Sequence, residues 1–187
     1  MDVKLRTDVQ ICSYCDADYA NDSVDRRSIS GYITMIDGNL LSYMSRKQEL
    51  NALSTCETEY VPMSEATKDL LWLDGLCKEL SWTHPVPLLY GDNQGAICLT
   101  AKPDKHPKCK HIDSKHHMVR RNVELNRIRT QHVGTDEMVA EVLTKAHGAV
   151  KFAGFRKAMK VLPVVSKNGG PNCGRGRCFY IYYYYGD

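Results

Sequence analysis

The residues of this 187-residue chain that could do chemistry are acids at the edges of apolar segments. In YCDADYAND, Tyr14 to Asp22, two carboxylates, Asp16 and Asp18, close a short apolar run where a strand would stop. Three later segments have the same character: STCETEY with Glu57 and Glu59, LLYGDNQGA with Asp92, and DEMVAEVLTK with Asp136, Glu137 and Glu141. Taken singly, an acid is more often a helix cap or a solvated charge than a ligand. Several meeting at one point form the donor set of a hard cation such as Mg2+, which demands oxygen ligands in octahedral geometry.

The elements that must gather them are legible from periodicity. Residues 11–17, ICSYCDA, read as a strand, followed by the polar loop NDSVDRRS. SGYITMI (30–36) alternates and is rich in β-formers, Asp37-Gly38 is a hairpin turn, and NLLSYMSR returns as a third strand. An antiparallel meander of three strands follows. From Ser54 to Leu80 the period becomes helical, with Tyr60, Met63, Ala66, Leu70, Leu73, Cys77 and Leu80 at three- and four-residue steps. Glu59 lies at the N-terminal end of that buried face, so its carboxylate would look inward. Pro62 falls past the first turn, where it removes a backbone bond and can kink the axis. VPLLYGD reads as a fourth strand ending on Asp92, NQGAICLTA as a short helix, RIRTQHV as a fifth strand, and TDEMVAEVLTK as a last helix. Between them AKPDKHPKCKHIDSKHHMVRR carries seven Lys and Arg, four His and two acids, its later part continuing as a helix through Val123.

Length and a composition of 43% hydrophobic and 25% charged residues favour one globular domain with a buried core. No apolar run approaches the roughly 20 residues that span a bilayer, and MDVKLRTDVQ lacks the apolar centre of a signal peptide, so a cytoplasmic or nuclear protein is expected, without membrane contact. The eight cysteines are scattered and read as reduced thiols. Cys12 and Cys15 form a CxxC, but residues three apart on a strand point to opposite faces, which disfavours a shared zinc. Residues 145–187 hold eight Lys and Arg against one acid, leaving 17 basic and 21 acidic groups in the first 144. An acidic body with a basic tail suits a cation-dependent site with affinity for polyanions.

The order β-β-β-α-β-α-(α)-β-α, with acids after strand one, in the long helix, after strand four and in the last helix, resembles the ribonuclease H arrangement. Five segments, CDADYANDSVDRRSISGYI, LSTCETEYVPMSEATKDLLWL, LLYGDNQGAICL, KHIDSKHHMVRR and TDEMVAEVLTK, resemble in the same order the ribonuclease H domain of copia-type retrotransposon Pol polyproteins. The resemblance implies an α/β fold with a five-stranded mixed sheet and flanking helices, and cleavage of the RNA strand of RNA·DNA hybrids. By the same resemblance the catalytic carboxylates are Asp16, Glu59, Asp92 and Glu141, the last replacing the aspartate of the family's ADIFTK with the glutamate of AEVLTK. Two Mg2+ ions about 4 Å apart, with Mn2+ able to substitute, would activate water and stabilise the leaving oxygen.

Asp18 and Glu57 are the nearest rivals to the first two acids, and Asp136 to Glu141. Asn93, Gln94, Lys110, His111, Lys115, Arg120 and Arg121 are expected to face nucleic acid, in a salt-dependent manner. His106, Cys109, His111, His116 and His117 could instead form a zinc cluster; a basic face is the preferred reading. Residues 1–11 are a lead-in, 12–146 the ribonuclease H-like domain and 147–187 a basic, Gly- and Tyr-rich tail expected to be poorly ordered. With about ten residues before the first strand, a reverse transcriptase domain would have to be supplied separately.

Overall fold

The protein is described from a computed structural model covering residues 8–20, 26–49, 54–101 and 113–161, with the side chains of 113–116 left aside. Strands β1 (Ile11–Asp18), β2 (Ile29–Ile36) and β3 (Asn39–Lys47) form the expected antiparallel meander. Asp37 and Gly38 turn β2 into β3 with φ of 50° and 70°, the left-handed pair of a type I′ hairpin. Beyond β1, strands β4 (Leu88–Gly91) and β5 (Arg129–His132) pair in parallel, giving the order β3-β2-β1-β4-β5. The sheet is mixed and five-stranded as expected, and β1 lies at its centre.

Strand alternation divides the core in two. Ile11 and Cys15 face helix α1 (Thr55–Glu79), whose Tyr60, Met63, Ala66, Leu70, Leu73 and Cys77 are all buried against them. Each of those larger side chains contributes about 1.5–3 kcal/mol by leaving water, an upper estimate because the unfolded chain already hides part of its surface. Leu80, expected on the same face, is the C-cap and stands 50% exposed. Helices α2 (Gln94–Ala101) and α3 (Asp113–Glu124) border this core, adding Ala96 and Val119. On the other face Cys12 and Tyr14 pack with Ile33, Met35 and Leu40 against Met138, Val139, Ala140 and Phe155. Cys12 and Cys15 therefore belong to opposite cores, as the spacing required.

Pro62 sits inside α1 without terminating it. The bond it cannot donate would have gone to the carbonyl of Thr58 four residues earlier. That carbonyl instead accepts from Gln48 Nε2 at 3.0 Å, and the same amide nitrogen donates to Ser30 Oγ at 2.7 Å. Gln48 is 6% exposed, so neither acceptor can rely on water in its place. Gln48→Leu is expected to destabilise the protein by about 1–3 kcal/mol, the usual penalty for orphaning a buried acceptor. A urea denaturation midpoint unchanged from wild type would contradict this.

Two differences from the sequence reading concern the C-terminal third. The last helix, expected over 135–145, is a pair of 3-10 turns, Thr135–Glu137 and Val139–Leu143. Met138, Val139, Ala140 and Glu141 are all buried in succession, whereas one α-helical face buries every third or fourth residue, so the chain unwinds to point them inward. Second, part of the expected tail is ordered: Ala149–Ala158 form helix α4, whose Phe155 is 5% exposed and belongs to the second core. Of its large apolar residues only Phe155 is buried, Val150 and Phe152 being exposed, so the segment has no one-sided period to read. Residues 162–187 of that tail lie outside the described residues. Among the described residues no helix is long and apolar enough to cross a membrane.

Candidate active site

The parallel register of β1 and β4 sets Cys15 beside Gly91, so that Asp16 and Asp92 emerge next to each other at one end of the sheet. Asp16 is fully buried. Glu59 reaches the same end from the N-terminal part of α1, where its carboxylate accepts from the Ala17 backbone N–H. One oxygen from each of Asp16, Glu59 and Asp92 lies within 4.8 Å of the other two, and no other such acidic group occurs among the described residues. Sequence reasoning named all three.

Three carboxylates at that spacing cannot all ionise cheaply. Burial, then the charges of Asp16 and Asp92, push Glu59 up to about 9, against the lowering effect of Lys145 and the Ala17 N–H. Burial and Asp16 likewise raise Asp92, opposed by Lys145 and a backbone hydrogen bond, with Glu141 adding to the rise. The thiol of Cys15 is driven well above its usual value by burial and by the same three acids. A set of hard oxygen donors with surplus negative charge, partly relieved by holding protons, suits Mg2+ or Mn2+ and offers zinc no nitrogen or sulfur.

The fourth expected acid is placed differently. Glu141 is buried beside this cluster, but its carboxylate is engaged by two lysines, Lys145 at 3.6 Å and Lys151 at 2.6 Å. Lys145 also approaches Asp16 Oδ1 at 3.5 Å, and Thr144 donates its hydroxyl to Asp16 Oδ2. Thr144 and Lys145 belong to the AEVLTK motif, and no role was expected of them from the sequence. Their signal was available: residues three and four beyond Glu141 return to its side of a turn. Gly31 was missed too. It is paired with Asp16 across β1 and β2, and a Cβ there would lie 2.9 Å from Leu143 Cβ and 2.9 Å from Thr144 Cγ2. Only a glycine lets the 139–143 turn come down onto the sheet far enough for Thr144 to reach Asp16.

The rival acids stay outside the cluster. Asp18 at the end of β1 and Glu57 in the first turn of α1 do not join it, and Asp136 is exposed on the first 3-10 turn beside a cavity lined by Tyr14, Tyr90 and Phe155. Of the residues expected to face nucleic acid, Asn93 Oδ1 accepts from the Ala96 N–H and so caps α2, and Gln94 is exposed in the first turn of that helix. Arg121 is exposed on α3. Arg120 is half-buried: its Nε is buried, and the guanidinium is close enough to the Tyr60 phenol to act on its ionisation. Lys110 and His111 lie outside the described residues, and Lys115 is placed only as a backbone position on α3. His106 and Cys109 of the alternative zinc cluster are also outside them, and His117 is exposed.

No family model matches the chain. It is 34% identical over 170 residues to the retrovirus-related Pol polyprotein from transposon RE2 of Arabidopsis thaliana, and 35% identical over 139 residues to that from transposon TNT 1-94 of Nicotiana tabacum. These alignments take in 90% and 74% of this chain but only 12% and 10% of the polyproteins, so the chain spans a small part of its relatives' length. Among solved structures it resembles the N-terminal ribonuclease H domain of a Mycobacterium tuberculosis protein, with a TM-score of 0.52 and 10% identity over 80% of this chain and 98% of that one. It also resembles LC11-RNase H1, solved with an RNA/DNA hybrid, with a TM-score of 0.53 and 15% identity over 72% of this chain and 94% of that one. The likeness drawn from the five motifs is borne out: over most of its length the chain is homologous to a segment of the retrovirus-related Pol polyproteins of transposons, and it has the ribonuclease H fold.

Proposed function

We propose that the chain is a divalent-metal-dependent endonuclease hydrolysing the RNA strand of RNA·DNA hybrids. The single observation that carries this reading is the meeting of Asp16, Glu59 and Asp92 within 4.8 Å at one sheet end. Asp16 and Asp92 would hold the metal from the ends of the two central strands, and Glu59 would close the set from α1. Bound there, Mg2+ or Mn2+ would supply an activated water and charge neutralisation for the leaving oxygen. Thr144 fixes the Asp16 carboxylate in one orientation, and Glu141 is held beside it by two lysines.

Substrate would lie along α2 and α3. Gln94 in the first turn of α2, next to Asp92, and Arg121 on α3 are exposed for contact, with Lys110, His111 and Lys115 as further phosphate contacts. Choice of RNA over DNA would come from the 2′-hydroxyls displayed in the shallow minor groove of the hybrid. LC11-RNase H1 having been solved with such a hybrid supports this choice. A reverse transcriptase making that hybrid would be the natural partner, in keeping with relatives named as Pol polyproteins.

A second reading, hybrid binding without useful cleavage, is favoured by one observation: the carboxylate of Glu141 is tied to Lys145 and Lys151. Incubating labelled RNA·DNA hybrid with Mg2+ and either wild type or Asp92→Asn separates the two. The hydrolase reading expects cleavage by wild type and a loss of roughly 100-fold or more in the variant, with hybrid binding retained. Equal product from both proteins removes it.

A further inference from the structure

One cation of the site belongs to the chain itself. Lys145 Nζ lies 3.5 Å from Asp16 Oδ1 and 3.6 Å from Glu141 Oε1, between the buried acid of β1 and the buried acid of the second 3-10 turn. Its side chain is 32% exposed, so this pairing is sheltered from solvent screening. Lys151 occupies the far side of Glu141, 2.6 Å from Oε2 and 5.4 Å from the centre of the Phe155 ring. Glu141 thus meets ammonium on both oxygens, while Asp16, Glu59 and Asp92 keep their mutual face.

We propose that Lys145 is a resident cation of the acidic cluster, so that the chain takes one divalent ion on Asp16, Glu59 and Asp92 and admits a second between Asp16 and Glu141 only when Lys145 is displaced. The idea rests on the metal-binding reading above. An ammonium and a divalent ion cannot share two carboxylates without strong repulsion at such short range. A lysine is suited to yielding, being a point charge on a flexible four-carbon stem. The Glu141 position would then be the adjustable part of the site and the three-acid group its fixed part.

Calorimetric titration of the full chain with MnCl2, using wild type, Lys145→Met and Lys145→Arg, tests this without reference to activity. Wild type is expected to bind one ion, and the methionine variant to bind a second or to bind the first about tenfold tighter. The arginine variant should behave as wild type, because it retains the charge. In EDTA the methionine variant should melt at a lower temperature than wild type, having lost the counter-charge of Asp16 and Glu141. The proposal is overturned if wild type binds two ions, if the methionine variant matches wild type in number and affinity, if both variants change alike, or if melting in EDTA is unaltered. Those results leave the hydrolase reading standing. A wild type that binds no ion removes both.

Discussion

Glu59→Gln is expected to make the protein more resistant to unfolding in EDTA above about pH 5 while abolishing metal-dependent cleavage. The reason is the displaced ionisation of Glu59, at about 9 in the folded protein against an ordinary value of 4.5. Below pH 4.5 the side chain is neutral whether the chain is folded or not, and folding loses nothing there. Between the two values the unfolded chain releases its proton and the folded chain does not, so stability falls steadily as pH rises. Beyond pH 9 both states are ionised and the loss is complete. At 1.36 kcal/mol for each unit, the loss by pH 7 is on the order of 3 kcal/mol. Glutamine cannot ionise, and its carbonyl can still accept from the Ala17 N–H, so the variant should show no such decline.

Mg2+ reverses the comparison. Wild type should gain stability from the ion because the ionised carboxylate is the form that binds it, and the glutamine variant should gain little. Melting temperatures of both proteins at pH 4.5, 6, 7.5 and 9, with EDTA or with Mg2+, give four curves. Parallel curves for the two proteins in EDTA would show that Glu59 carries no unusual proton, and the electrostatic picture of the cluster would fall with it.

What could be read in the sequence was whatever local pattern dictates. Alternation and the Asp37-Gly38 turn determined the meander, and the three- and four-residue steps from Tyr60 to Cys77 determined α1 and its inward face. Asp16, Glu59 and Asp92 were legible because each ends or begins an apolar run, which places it at the end of a strand or of a buried helix face. The part that could not be read depends on pairings between distant residues. Nothing near Pro62 announces that Gln48 will take over its missing bond, and the route of residues 138–144 follows from burying Met138, Val139 and Ala140 in succession against Ile33 and Met35, a tertiary demand that overrides helical propensity.

Gly31 concentrates this dependence in one atom that is absent. Glycine inside a strand normally weakens it, so replacement by alanine in an open strand would be neutral or favourable. Here a Cβ would meet Leu143 Cβ and Thr144 Cγ2 at 2.9 Å each, with the Ala140 carbonyl at 3.4 Å. Leu143 Cβ cannot move without its backbone, so Gly31→Ala must lift the whole 139–143 turn from the sheet. That withdraws the Thr144 hydroxyl from Asp16 and carries Glu141 and Lys145 with it. A cost of about 1–3 kcal/mol in stability is expected from overpacking, and displacement of site groups by about 1 Å lowers cleavage on the order of 100-fold even where the protein is fully folded. Adding Thr144→Ser removes one of the two contacts and keeps the hydroxyl, so it should restore part of both losses in the Gly31→Ala background while changing the wild type little. A double-mutant cycle on urea midpoints and cleavage rates measures that coupling. If the two substitutions prove additive, the turn is not held down by its fit over Gly31, and the orientation of Asp16 must come from elsewhere in the chain.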